Sequence, residues 1–157
     1  MNVLFLCNDN ASRGIMAEAL LNHLDALETS HRFVAYSGGA APTPDGLPHH
    51  LALETLAHAG VATTGLRSKD WTEFAAPDAP VMDLVITLCD HAAAEVCPVW
   101  PGHPAIAHWS YADPAAGDYP DAKRHEIFRH TLHEMGRRLE SLLALPSDKL
   151  SSAATFR

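Results

Sequence analysis

The chain has 157 residues, a length that fits one domain of ordinary size. Hydrophobic residues make up 47% and charged residues 19%, a composition that supports a packed core and excludes a disordered chain. The formal net charge of -8 has the wrong sign for binding nucleic-acid phosphates or anionic lipid, so neither nucleic acid nor a membrane is expected as a partner.

Two further features bear on location. No apolar run is long enough to span a membrane, and the N-terminus lacks the basic and apolar regions of a signal peptide. The three cysteines are an odd number and too few to staple a chain of this size, which favours a reducing compartment. We therefore expect a cytoplasmic protein whose cysteines serve chemistry.

Strand and helix patterns alternate along the chain. Short β-rich apolar runs predict strands, and apolar positions every three or four residues predict helices. The predicted elements are a strand at Val3–Leu6, a helix at Ile15–Leu27, a strand at Phe33–Tyr36 closed by a turn at Ser37–Gly39, a helix at His49–Ala59, an irregular segment at Trp71–Pro80, strands at Leu84–Leu88 and Ala105–Trp109, and a helix at Asp121–Leu145.

This alternation predicts an α/β fold, with a four-stranded parallel sheet covered by helices on both faces in three layers. We expect one domain over residues 1–145 and a polar tail over 146–157. Ligands of such sheets bind beyond the carboxyl ends of the strands. The loops at residues 7–13, 37–40, 89–98 and 110–118 are therefore the candidate site.

The first of these loops carries a Cys-x5-Arg pattern between a strand and a helix. Backbone N–H groups and the helix dipole would converge there on a tetrahedral oxyanion, stabilise the Cys7 thiolate and leave Arg13 to grip two oxygens. Cys7 could instead be a small buried hydrophobe, but its position at the strand-to-helix junction favours function. The oxyanion-binding loop would comprise Asn8, Asp9, Asn10, Ala11, Ser12 and Arg13.

Several segments together resemble low-molecular-weight protein tyrosine phosphatases and, more narrowly, the arsenate reductases built on the same fold. The likeness spans about residues 2 to 143 and implies the phosphotyrosine phosphatase I fold. The segments that carry it are Leu6–Glu18, Ser37–Gly39, Val85–Asp90, Cys97-Pro98 and Asp113-Pro114.

The resemblance implies a role for each residue of the site. Cys7 would be the nucleophile, Arg13 the oxyanion ligand and Asn10 a brace for the loop. Asp113 would be the general acid, although an Asp-Pro pair is by itself typical of an ordinary turn.

Arsenate reduction and phosphate-ester hydrolysis would share these first steps. In hydrolysis, water attacks the covalent Cys7 intermediate, whereas in reduction a second thiol attacks Cys7. Cys89 is predicted at the same rim of the sheet, and Cys97 would pass the disulfide to an external thioredoxin-like, glutathione or glutaredoxin reductant, with no tightly bound cofactor. Three cysteines favour arsenate reductase first and phosphatase second; the bland alternative is that Cys89 and Cys97 are inert.

The loop also departs from the family pattern. Gly14 stands where the family usually has a serine whose hydroxyl holds the thiolate, so Cys7 should be less acidic than usual. Ser12 replaces a frequent cysteine, and the Asp9 carboxylate would repel an anion unless it points to solvent. Seven residues separate Cys89 from Cys97, one more than in the thioredoxin-linked pattern. A catalytically degenerate oxyanion-binding protein is therefore the third alternative.

The resemblance further suggests a monovalent-cation site in which Asn10, Glu18 and Ser37 match ligand positions. Lys69 lies where a further acidic ligand would fall, and its ammonium is expected to replace the cation. The eleven histidines do not form the spacing of a zinc helix, so no metal site is predicted. The basic residues of the last helix, Arg124 among them, are expected to be a solvated face.

Overall fold

The structure is a computed structural model that describes residues 1–29, 31–89 and 98–150, with the backbone alone at Ser147 and Leu150. Its elements in chain order are β1 (Asn2–Cys7), α1 (Arg13–Leu27), β2 (Val34–Gly39), α2 (His50–His58), a 3-10 helix (Trp71–Ala75), β3 (Leu84–Thr87), β4 (Ala105–His108), α3 (Asp121–Leu143) and α4 (Ser147–Leu150).

The four strands form one parallel sheet in the order β2-β1-β3-β4. β1 is central, with Cys7 beside Gly39 of β2 and Leu6 beside Thr87 of β3. Because all strands run the same way, the residues that follow them meet at one edge. That edge carries Cys7, Gly39 and, two residues beyond the end of β3, Cys89.

Burial shows that both faces of the sheet are covered. Residues Val3 to Cys7 of β1 have no exposed surface, and all four residues of β3 are buried. Since successive side chains of a strand point to opposite faces, such continuous burial requires cover on both sides. On one side, α1 packs against β1 and β2, and α1, α2 and α3 contact one another. The predicted fold class is confirmed.

Local signals account for the helix ends. The Nδ1 atom of His49 accepts a hydrogen bond from the Leu51 N–H and so caps α2. Gly60 follows α2 with a φ of 76°, a left-handed geometry that glycine adopts without strain. Asp121 places a carboxylate in the first turn of α3, where the helix dipole favours negative charge.

Two local predictions were wrong. Ser37–Gly39 continues β2 instead of forming a turn, and part of the segment predicted as irregular is the 3-10 helix. Both differences have one cause, because the 3-10 helix packs on the glycines. A Cβ on Gly38 would lie 3.0 Å from the Trp71 Cα atom, and Gly39 forms a bridge with Asp70.

The long helix α3 ends at Leu143, two residues before its predicted end, and the short helix α4 lies in the predicted tail. The domain boundary at residue 145 remains a prediction. In the described ranges, no helix is both long enough and apolar enough to cross a bilayer.

Candidate active site

The loop between β1 and α1 is held from outside by its carbonyl groups. The Asn8 carbonyl accepts from the Ala41 N–H at 2.8 Å, the Asp9 carbonyl from the Ser68 hydroxyl at 2.7 Å, and the Ala11 carbonyl from the His49 N–H at 2.9 Å. With the carbonyls turned outward, backbone N–H groups turn inward. Those of Asn10 and Gly14 donate to the Cys7 sulfur. The loop therefore has the donor geometry of an oxyanion cradle.

Gly39 makes the tight fit of this loop possible. A Cβ there would lie 2.6 Å from the Asn8 carbonyl oxygen, 2.9 Å from the Asn10 nitrogen and 3.0 Å from the Cys7 carbonyl oxygen. These atoms belong to backbone, which cannot swing aside as a flexible side chain can. The loop backbone thus packs directly against the end of β2, and this close approach requires glycine at position 39.

Cys7 is fully buried, and its ionisation differs from the sequence expectation. Burial raises the pKa of its thiol from 9.0 to about 11, outweighing the Gly14 and Asn10 N–H groups and the positive charge of Arg13. The loop's N–H groups and Arg13 favour the thiolate as predicted, but the expected net lowering of the Cys7 pKa is reversed by burial. The thiol is neutral at physiological pH.

The Asp9 carboxylate does not simply point to solvent, as an anion-binding loop would require, but interacts with the loop. Its Oδ1 accepts a hydrogen bond from the Ala11 N–H at 3.1 Å, so it occupies one of the loop's own donors. Its charge also raises the pKa of the Cys7 thiol. Asp9 therefore opposes anion binding and thiolate formation at once.

Arg13 lies at the start of α1 and is 7% exposed. Its Nη1 donates to the Tyr111 carbonyl oxygen at 3.0 Å, while the Tyr111 N–H donates to the Leu88 carbonyl oxygen at 3.0 Å. Tyr111 thus joins the first loop to the end of β3, next to Cys89. Sequence reasoning did not find this residue, because it acts through backbone atoms that every residue possesses.

Asp113 belongs to the same loop as Tyr111. Its Oδ1 accepts from the Ala115 N–H at 2.9 Å, which fixes the carboxyl in a local turn. No hydrogen bond joins Asp113 to Cys7 or Arg13 among the described residues. The structure therefore brings the loops of the three predicted residues together without direct contact of the acid with the sulfur.

Arg124 of α3 holds this loop in shape. Its guanidinium donates to the carbonyl oxygens of Pro114 at 3.0 Å and Ala116 at 2.6 Å, and also to that of Gly117. It further packs over the Tyr119 ring. Arg124 is half-buried, and the expectation of a solvated face was incomplete, because a planar guanidinium fits several converging carbonyls at once.

A cavity of about 790 Å³ opens between the Tyr111–Asp113 loop and α3. Asp113, His130, Glu134 and Arg137 line it, whereas Cys7 and Arg13 do not. The cavity therefore adjoins the proposed acid, but neither the loop sulfur nor Arg13 forms part of its lining.

Cys89 lies at the same sheet edge as Cys7, and both are buried and reduced. Cys97, together with residues 90–97 of the predicted 89–98 loop, lies outside the described residues. Cys7 ends β1 and Cys89 follows the neighbouring strand β3 by two residues.

The four residues of the predicted cation site form one buried cluster. The Lys69 Nζ lies 3.3 Å from the Asn10 Oδ1, 3.3 Å from the Ser37 Oγ and 3.5 Å from the Glu18 Oε1. The Ser37 hydroxyl donates to the same Glu18 oxygen at 3.1 Å. Burial lowers the pKa of Lys69, and the Glu18 carboxylate counters that effect. The ammonium therefore sits among oxygens from the loop, α1 and β2.

Comparison with known proteins places this geometry in a family. The model of the low molecular weight phosphotyrosine protein phosphatase family matches residues 2–152. The chain belongs to this family. One family relative, the arsenate reductase of Bacillus licheniformis, is 31% identical over 140 residues, covering 88% of this chain and 91% of the relative.

Solved structures agree with the family assignment. An arsenate reductase in the phosphate binding state has a TM-score of 0.69 at 26% identity, covering 91% of this chain and 96% of that chain. A low molecular weight protein tyrosine phosphatase from T. tengcongensis has a TM-score of 0.72 at 23% identity, covering 91% and 97%, and shares the fold. Membership in the low molecular weight phosphatase family identifies the chain as an enzyme.

Proposed function

We propose that this protein is an arsenate reductase that converts arsenate to arsenite through Cys7 and a disulfide relay. The observation that carries the proposal is the pair of reduced cysteines, Cys7 and Cys89, at one edge of adjacent parallel strands. Hydrolysis of a phosphate ester needs only the first of them. Relatives 30 to 31% identical over most of the chain carry the name arsenate reductase.

In the first step, the Cys7 sulfur forms a bond to the arsenic atom of arsenate. A hydroxyl group of arsenate leaves as water with a proton from Asp113, while the thiol proton passes to another arsenate oxygen and later returns the carboxyl to its acid form. Because the thiol is neutral, its proton has to be removed as the oxyanion enters, and dianionic arsenate is itself a base for that transfer. Arg13 would exchange the Tyr111 carbonyl for arsenate oxygens.

In the second step, the Cys89 sulfur attacks the Cys7 sulfur. The electron pair of the sulfur–arsenic bond stays on arsenic, which leaves as arsenite, and a Cys7–Cys89 disulfide remains. Cys97 would then attack Cys89 and present the disulfide to an external dithiol of the thioredoxin or glutaredoxin type. Such a cycle requires a reducing compartment, which supports a cytoplasmic location.

Replacement of the second thiol tests this function. In Cys89→Ser, we expect arsenite production with thioredoxin or glutaredoxin systems to fall to background, while hydrolysis of an aryl phosphate persists. Cys7→Ser is the control and should abolish both reactions. Thiol titration after one turnover of the wild-type protein should show two thiols lost. Sustained arsenite production by Cys89→Ser would contradict the relay.

A phosphatase is the second candidate, and the cavity beside Asp113 favours it. A general acid protonates the leaving group of an ester, so a hollow of about 790 Å³ next to Asp113 could hold an organic leaving group that arsenate lacks. Hydrolysis of aryl phosphates with no thiol loss in the presence of arsenate would support this reading over reduction.

For the cluster behind the loop, we propose that the Lys69 ammonium takes the place of a bound monovalent cation. Replacing sodium by potassium should leave activity and melting temperature unchanged. In Lys69→Ala, the oxygens of Asn10, Glu18 and Ser37 lose their cation, which should cost about 3 kcal/mol, typical of a broken buried ion pair. Potassium should then stabilise the variant more than sodium does. A clear potassium effect on the wild-type protein would contradict the proposal.

A further inference from the structure

The Asn10 side chain contains a buried donor without an acceptor. Its Oδ1 accepts two hydrogen bonds from Lys69, from the backbone N–H at 3.0 Å and from Nζ at 3.3 Å. Among the side chains that the structure describes, its Nδ2 is the buried polar atom that has no hydrogen-bond partner. Two donors on the oxygen fix the orientation of the carboxamide, so the NH2 group has to face away from Lys69.

The contacts of Gly14 show where this NH2 group lies. A Cβ on Gly14 would lie 2.8 Å from the Asn10 Nδ2 and 3.1 Å from the Cys7 Sγ. The amide nitrogen and the sulfur therefore flank the same point, where glycine has only a hydrogen atom. A side chain at position 14 would stand between them.

The sulfur changes as an acceptor when it ionises. A neutral thiol is a weak hydrogen-bond acceptor, whereas a thiolate is a strong one that would draw the unpartnered Asn10 amide toward it. The other charged groups that face the sulfur oppose each other, since Asp9 disfavours the anion and Arg13 favours it. A hydrogen-bond donor that binds only the Cys7 thiolate would therefore determine how readily the thiolate forms.

We propose that Asn10 is a catalytic residue whose Nδ2 donates a hydrogen bond to the Cys7 thiolate, in place of the serine hydroxyl that Gly14 lacks. Lys69 is then a positioning residue, because its two hydrogen bonds keep the donor turned toward the sulfur. This inference rests on the proposed function only in that Cys7 reacts as a thiolate. It holds equally for arsenate and for a phosphate ester.

A pair of substitutions at position 14 tests the geometry. Gly14→Ala and Gly14→Ser add the same Cβ, so any loss of access to the sulfur is matched, and only serine brings a donor. The measurement is the rate at which iodoacetamide alkylates Cys7 at pH 8, followed on the Cys7 peptide by mass spectrometry in a Cys89→Ser background. We expect alanine to slow alkylation about tenfold relative to serine, as one pKa unit requires.

A double-substitution cycle then isolates Asn10. Asn10→Gly suits the φ of 50° at this position and should slow alkylation about tenfold in the Gly14 protein. In the Gly14→Ser background it should slow it little, because the serine hydroxyl supplies the donor. If Asn10 merely braces the loop, the slowing will be equal in both backgrounds, and that result overturns the proposal.

Folding is checked by the melting temperature of each variant. If Asn10→Gly does not fold, Asn10→Asp serves in the same cycle, because it keeps both hydrogen bonds from Lys69 and removes the donor. Its added negative charge slows alkylation in both backgrounds and cancels in the comparison. Failure of arsenite production leaves this cycle unaffected, since it measures the sulfur alone. The failure of the proposed function and that of the Asn10 assignment are therefore distinguishable.

Discussion

Several residues at this sheet edge shape the site through the absence of a side chain, as the glycines do, or through their backbone N–H and carbonyl groups. Cys7 and Arg13 could be predicted from sequence because a side chain performs the chemistry at a recognisable spacing. Tyr111 and His49 could not, since Tyr111 acts through its carbonyl and N–H and His49 holds the loop through its N–H. Such contributions depend on the fold and leave no mark in composition or spacing.

Substitution of Gly39 tests whether the loop depends on the absence of a Cβ atom at this position. In Gly39→Ala, the added methyl group would meet backbone of the Cys7–Asn10 loop at 2.6 to 3.0 Å, so the loop has to move. We expect a loss of about 1 to 3 kcal/mol in unfolding free energy, typical of overpacking, together with loss of catalysis. Thermal and urea unfolding with a steady-state assay will measure both.

Gly136→Ala is the matched control for that substitution. A Cβ at this position of α3 would lie 3.5 Å from the nearest Leu20 methyl carbon, an ordinary contact. Alanine in a helix interior should therefore stabilise the protein slightly, by about 0.5 to 1 kcal/mol. Equal effects at the two positions would show that the loop does not depend on Gly39.

Among the strands and helices, the sequence pattern predicted correctly those elements whose residues are buried along most of their length. The strand and helix around the first loop were predicted because β1 is apolar from Val3 to Leu6 and apolar residues of α1 recur every three or four positions. The glycines of β2 misled, because a Gly-Gly pair is typical of turns. Here they allow Trp71 and the first loop to approach the strand, a tertiary requirement that local propensity does not contain.

The contact between α3 and the Asp113 loop gives a second prediction. Arg124→Ala would leave the carbonyls of Pro114, Ala116 and Gly117 without their shared donor and release the loop that carries the acid. We expect kcat to fall about tenfold with little change in oxyanion affinity, since about 1.4 kcal/mol of positioning is lost. Inhibition by phosphate and turnover with an aryl phosphate will separate the two.

Arg124→Lys is the companion variant. A lysine keeps the charge but has no planar fork, so it should recover little of the lost rate. Full recovery by lysine would mean that charge, not the joined carbonyls, matters at this position.

For the whole molecule, the buried Cys7 thiol links stability to alkaline pH. Its pKa is raised to about 11 in the folded protein, so the unfolded chain releases this proton first as pH rises. The stabilisation is fully present below about pH 9 and is lost as pH approaches 11. Relative to Cys7→Ser, the wild-type protein should lose on the order of 2 to 3 kcal/mol across this window, from two pKa units.

Urea unfolding of both proteins at several pH values measures this difference. Because the two proteins share their tyrosines and lysines, the titration of these groups cancels in the difference between their unfolding free energies. A constant difference between pH 8 and pH 11 would show that the thiol ionises as readily folded as unfolded. An oxyanion that binds only the folded protein should raise the melting temperature of the wild type.

The hydrogen bonds that run from Arg13 through Tyr111 to Leu88 have a mechanical consequence. If the guanidinium turns this N–H toward an incoming anion, it gives up the Tyr111 carbonyl and releases one end of a connection whose other end, Leu88, lies one residue before Cys89. Binding of the anion by Arg13 and the position of the backbone next to Cys89 are thereby connected through the peptide groups of Tyr111 and Leu88.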